Sequence, residues 1–260
     1  MEFLDFNSMP ESPSGNSIPE SLNRVLLPID VSGSISLQET AFEMVQDSEV
    51  VLLGYWLIPD QSTADQHREQ FGEEAAKRLE AVEDRLSSQG IEFQTEVVFT
   101  KNRGELIDKA ANKFGCQSVV IPGSEGPSAG PVRGIVLVKP NADLNRIAAT
   151  LGALFAGSNV ELHLFYAAKK DNKHLYDSTE YMLRGLAGRL KELGIDSERI
   201  EWEQTIGGKR LEMILSRVAD FDFVVLGESH PSIRERIFGT VQARLAEETE
   251  KTQLAIRTGI

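Results

Sequence analysis

The chain has 260 residues, 41% of them hydrophobic and 26% charged, and a formal net charge of −13 at pH 7. That charge weighs against sequence-independent binding to nucleic acid or anionic membrane, which both need a basic surface, and no apolar run approaches the ~20 residues that cross a bilayer. The single cysteine, Cys116, excludes an internal disulfide and fits a reducing cytoplasm. Lying between a helix and a strand, Cys116 reads as a small buried residue rather than a nucleophile.

Residues 1–22 are polar, carry Pro10, Pro13 and Pro19, and lack the basic and apolar regions of a signal peptide. They read as a disordered or extended leader. A strand at Arg24–Ile29 then runs into the loop Asp30-Val31-Ser32-Gly33-Ser34 and a short helix around Leu37–Val45. Glu49–Trp56 is apolar without helical period, as in a strand buried on both faces. Gln61–Gln89 is a long helix with Phe71, Ala75, Leu79, Val82 and Leu86 on one stripe, and Gly90 stops it as a left-handed cap. Ile91–Thr100 alternates like a half-exposed strand, Glu105–Phe114 is helical, and Ser118–Ile121 is the unit's last strand.

The same order then repeats after about a hundred residues, which means duplicated domains rather than a solenoid. Gly134–Val138 is a strand, Asp143–Ala156 a helix, Val160–Tyr166 a strand, and Tyr176–Leu193 a helix with Met182, Leu186, Leu190 and Leu193 inward. Gly194 ends that helix. Arg199–Thr205 (strand), Leu211–Ala219 (helix) and Phe223–Leu226 (strand) follow. The chain continues with a helix at Val241–Glu250 and a strand at Gln253–Arg257, for which the first unit has no equivalent. Strands alternating with helices imply parallel sheets with right-handed crossovers. The expected organisation is a leader (1–22), a truncated first domain (23–126), a linker (127–133) and a second domain (134–260). The fold class is α/β: two tandem doubly wound, Rossmann-like sheets, the first lacking its last helix and strand.

Three features resemble the universal stress protein family in its tandem form. They are the opening Leu27-Pro28-Ile29-Asp30, the long second helix of each unit, and the segment Val224–Val241, which contains Gly227-Glu228-Ser229-His230-Pro231 and Gly239-Thr240-Val241. ATP-binding members of that family carry a Gly, two residues, a second Gly, nine residues, then Gly followed by Ser or Thr. Such glycines let backbone approach phosphates, and the helix that follows offers unpaired N–H groups and a positive dipole. In the second unit the resemblance implies phosphate contacts at Gly227, Gly239 and the Thr240 hydroxyl. There His230 replaces the second Gly, only eight residues separate it from Gly239, and Pro140 falls where the strand-end acid is expected. The first unit keeps Asp30, which the family places near the nucleoside, and has Gly123 and Gly126. It lacks the following Gly-Ser/Thr.

Each of these residues also has a plain structural reading. Asp30 caps the helix near Leu37 or holds a turn, Gly123 and Gly126 serve the linker, Gly227 serves the turn after its strand, and Thr240 is an N-cap. His67, His163, His174 and His230 show no metal-ligand spacing, and Walker and nucleophile-elbow motifs are absent.

The resemblance implies a cytoplasmic, non-enzymatic regulatory module of the stress response, with ATP or another adenine nucleotide as the candidate ligand of the second unit. It also implies dimers formed through the C-terminal strand Gln253–Arg257, read here as an exposed edge. The alternative is a ligand-free interaction module serving a transporter, kinase or other signalling protein.

Overall fold

The computed structural model describes residues 21–33, 35, 37–169, 173–227, 245 and 248–257. Residues 1–20 of the leader, Gly239, Thr240, His230 and all but a few residues of the expected helix Val241–Glu250 lie outside that set, and the leader's last two residues, Ser21 and Leu22, open β1 instead.

Among the described residues, nine strands form one sheet in the order β3-β2-β1-β4-β9-β8-β5-β6-β7. In chain order the elements are β1 (Ser21–Asp30), α1 (Glu39–Glu43), β2 (Glu49–Leu57), α2 (Ala64–Ser88), β3 (Phe93–Thr100), α3 (Arg103–Lys113) and β4 (Cys116–Ile121). The second half supplies β5 (Arg133–Leu137), α4 (Leu144–Phe155), β6 (Glu161–Lys169), α5 (Lys173–Glu192), β7 (Ile200–Gly207), α6 (Arg210–Val218), β8 (Phe223–Gly227) and β9 (Thr252–Ile256). All neighbours are parallel except β4 and β9, which run antiparallel. The chain is thus two doubly wound units set head to tail across that one antiparallel seam.

The missing fifth strand of the first unit explains the seam. Without it, β4 would present an open edge of unpaired backbone groups beside the apolar faces of Val119 and Val120. The second unit's last strand fills it, with Ser118 opposite Ile256 and Ile121 opposite Gln253. The expectation of an exposed C-terminal edge is therefore corrected: β9 lies between β4 and β8, and every residue from Thr252 to Ile256 is buried. It has no open edge to offer a second copy.

Helices cover both faces, which is why the strands read as near-continuous apolar runs. A shared core under α1, α2, α4 and α5 runs across both units, from Leu79 and Leu86 through Val25 and Val136 to Leu183 and Leu190. On the other face α3 and α6 each cover a separate cluster. The α2 stripe is as expected, with Phe71 stacked on Trp56 at 4.8 Å between centroids. In α5, Leu183 is fully buried, whereas Met182, and Leu193 just past the helix end, only border the core.

Local chemistry sets the boundaries. Gly90 and Gly194 follow the long helices with φ of 72° and 97°, as left-handed caps. α1 is shorter than expected, five residues, with no side-chain cap at Gln38. Asn102 caps α3 by accepting the Glu105 N–H at 3.1 Å. Asn102→Ala is expected to cost about 1 kcal/mol, read as a lower urea midpoint with an unchanged m-value.

Cys116 is buried, and burial pushes its thiol up to about 12 against the opposing pull of Arg24 and Arg257. It stays a protonated, inert core residue.

Candidate functional site

In doubly wound sheets ligands bind beyond the carboxyl ends of the strands, where the strand order reverses. Here those points lie between β1 and β4 and between β5 and β8. Because β4 and β9 are antiparallel, the two mouths open at opposite ends of the sheet. Asp30 and Gly227 are therefore held far apart and cannot contribute to one site.

In the first mouth, Asp30 ends β1 and is exposed. Its Oδ1 accepts from the Ser32 N–H at 2.9 Å and from the Ser32 hydroxyl at 2.5 Å. This is an Asx turn, so of its two plain readings the turn is the one observed. Arg78 of α2 locks the same loop by donating to the carbonyls of Val31 (2.9 Å) and Gly33 (2.7 Å), and it pairs with Glu74 at 2.5 Å. Tyr55, beside Asp30 at the end of β2, is buried, and Arg103 lies over its ring at 5.6 Å. Burial raises the Tyr55 phenol pKa, Arg103 opposes the rise and Asp30 adds to it. A groove of about 510 Å³ borders this loop between Phe42, Arg78, Val82 and Arg85. Both of its guanidinium groups already have carboxylate partners, Arg78 on Glu74 and Arg85 on Glu39.

On the β9 side of that mouth, the loop after β4 is held by the chain itself. A Cβ on Gly123 would stand 2.1 Å from the Glu250 carbonyl oxygen and 2.6 Å from the Thr252 nitrogen. The Gly123 N–H donates to Thr252 Oγ1 (3.2 Å), the Ser124 hydroxyl to Glu250 Oε2 (2.7 Å) and the Glu125 N–H to the Glu250 carbonyl (3.1 Å). Lys251, 8% exposed, pairs with Glu125 at 2.7 Å. The loop that would face a phosphate instead clasps the segment leading into β9. Gly123 and Gly126 take their linker reading.

At the second mouth, Gly227 ends β8 and is buried. A Cβ there would stand 2.5 Å from Ile147 Cδ1 of α4, so this glycine also lets helix and strand approach closely. Asp143 caps α4 by accepting the Arg146 N–H at 3.0 Å.

The register corrects one alignment. Asp30 lies opposite Tyr55, and the Val31 N–H donates to the Tyr55 carbonyl at 2.9 Å. Both ladders start at matching ion-paired residues, Arg24 opposite Glu49 and Arg133 opposite Glu161, and counting up from them puts Lys139, not Pro140, in the place of Asp30. Spacing along the sequence misplaces it because strand pairing, rather than residue count alone, fixes the position. Sequence reasoning also passed over Arg78, whose only local signal is Glu74 one turn earlier.

Strand order, crossovers and duplication together define a tandem, doubly wound α/β protein of the universal stress protein fold. A universal stress protein from Archaeoglobus fulgidus DSM 4304 is 15% identical and superposes with a TM-score of 0.54 over 92% of this chain and 97% of that one. A universal stress protein assigned to Pseudomonas aeruginosa UCBPP-PA14 is 13% identical, with a TM-score of 0.49 over 91% and 94%. A universal stress protein in complex with cAMP is 21% identical and covers 50% of this chain and 100% of that one, with a TM-score of 0.39. At these identities the likeness is one of fold, and the Archaeoglobus structure carries it. No family model matches the chain, and no curated protein does.

Proposed function

We propose that this chain is a non-catalytic, cytoplasmic regulatory module of the stress response, and that its second unit takes an adenine nucleotide, ATP in the first instance. The observation that supports this reading is the asymmetry of the two mouths. Glu250–Thr252 engage the glycine loop of the first, and this leaves the second, with Gly227 at its base and Gly239-Thr240 in the sequence that follows, as the place for a phosphate chain. Backbone N–H groups at a helix start and the Thr240 hydroxyl would hold the phosphates.

Calorimetric titration of the full chain with MgATP, after an acid extract for co-purified nucleotide, tests it. Micromolar binding that disappears in Gly239→Val is the expected result. Absence of both heat and bound nucleotide would sink the reading.

A second reading is favoured by Lys139, which puts a basic side chain where the first unit has an acid. On this reading the second mouth has lost its ligand, and the chain is an interaction module for a transporter, kinase or other signalling protein. The same titration separates the two.

A further inference from the structure

The two outer edges of the sheet are built differently. At one end β3 is guarded: Glu96 is 7% exposed and paired with Lys113 at 3.0 Å, an inward-pointing charge of the kind that discourages edge pairing. At the other end stands β7, bonded to β6 on one side. Its residues alternate between two faces. Ile200, Trp202, Gln204 and Ile206 lie toward α5, where Arg184 stacks over the Trp202 ring at 5.3 Å. Glu201, Glu203 and Thr205 lie toward α6, where Arg217 holds Glu203 at 2.9 Å. Trp202 and Ile206 are 36% and 40% exposed, and Tyr181 on the adjoining helix is 80% exposed. Tyr176 Oη lies 3.5 Å from the Gln204 carbonyl, too far to close the edge.

The geometry points to a second copy of this chain as the occupant of the β7 edge, in an antiparallel, two-fold pairing centred on Gln204. That register places Trp202 opposite the partner subunit's Ile206, and by symmetry Ile206 opposite the partner subunit's Trp202. On the other face Glu203 meets the partner subunit's Thr205, and Glu201 meets the partner subunit's Gly207. Aromatic–β-branched pairs stabilise antiparallel ladders and like charges directly opposite destabilise them. A register shifted to centre on Glu203 sets that carboxylate against its own copy. Charge and shape therefore select the same alignment.

The helix layer agrees. α5 packs over both β6 and β7, so two-fold pairing sets α5 and its copy about two strand spacings apart, roughly 10 Å. That is an ordinary distance for packed helices, 8–10 Å. The stripe of α5 on this side is Tyr181, Arg184, Gly185 and Gly188, spaced i, i+3, i+4, i+7. A Cβ on either glycine would meet nothing within 4 Å inside the chain. Two glycines weaken an exposed helix interior, and an approaching helix gives them a use. This seam is independent of any nucleotide site.

Sedimentation of the full chain at micromolar concentration is expected to give twice the 28.7 kDa chain mass. Trp202→Lys and Ile206→Glu are each expected to weaken the dimer about thirtyfold or more, and the double variant to recover it, because each lysine then faces a glutamate across the seam. Cysteines placed singly at Glu203, Gln204 and Thr205 read the register with a short thiol crosslinker, since the buried Cys116 contributes no background. Gln204→Cys, on the axis, should give the covalent dimer. A monomeric chain, a dimer indifferent to both single substitutions, or crosslinking that favours positions 203 or 205 would overturn the proposal.

Discussion

Gly123→Ala is expected to destabilise the chain by about 3 kcal/mol, at the upper end of what overpacking usually costs. The added methyl would stand 2.1 Å from the Glu250 carbonyl oxygen and 2.5 Å from the Lys251 carbonyl carbon. These are backbone atoms of the segment that feeds β9, so no side-chain rotation relieves the clash. Moving the segment aside strains the Gly123–Thr252 and Glu125–Glu250 hydrogen bonds and the Lys251–Glu125 pair. It also disturbs the start of the antiparallel β4–β9 seam. Gly126→Ala is the control, because only the flexible Gln38 Oε1 is near, at 3.2 Å, and its effect should stay within about 0.5 kcal/mol. Urea unfolding followed by circular dichroism separates them. Equal midpoints for the two variants would mean that the clasp is not a stabilising element.

The clasp marks the boundary between what the sequence discloses and what it does not. Periodicity and caps are local, so the long α2 stripe, the stops at Gly90 and Gly194 and the duplicated order of elements are all legible. So is the loss of the fifth strand from the first unit. Its consequence is not, because the partner of a strand is a non-local fact. Gln253–Arg257 reads as an exposed edge by resemblance, yet the strand is buried between β4 and β8, and the Thr252 hydroxyl accepts the Gly123 N–H. The equivalence of Lys139 with Asp30 depends on register in the same way. Of the candidate site, Asp30 and Gly227 are seen in their structural roles, a turn and a close helix contact, and neither role needs a ligand. A residue type that suits phosphate chemistry also suits tight backbone geometry, so sequence alone leaves both readings open.

The linker supplies the second large effect, and it rests on a residue with no sequence signal. Asp222, 2% exposed, precedes β8 and receives the Ser128 N–H on Oδ1 at 2.7 Å and the Arg133 N–H on Oδ2 at 2.8 Å. Its own N–H donates to the Arg133 carbonyl at 2.8 Å. One carboxylate thus fixes both the middle and the end of the segment joining the two units. Asp222→Asn keeps the shape but turns an NH₂ toward one of those N–H groups. The loss is expected to be about 3 kcal/mol near neutral pH, since hydrogen bonds to charged groups are strong and an unpaired buried donor is costly. Burial opposes ionisation, but the Arg133 and Ser128 bonds and the nearby Lys251 outweigh it and hold the Asp222 pKa below the usual carboxylate value. The linkage sign follows: stability from this group is complete above the unfolded value of about 3.9 and is lost as pH falls through the lower folded value. The gap between wild type and Asp222→Asn should therefore be constant from neutral pH down to about 4 and narrow below it. Unfolding midpoints measured along that series decide the matter. A gap that widens in acid would show that the carboxylate is not the anchor of the linker.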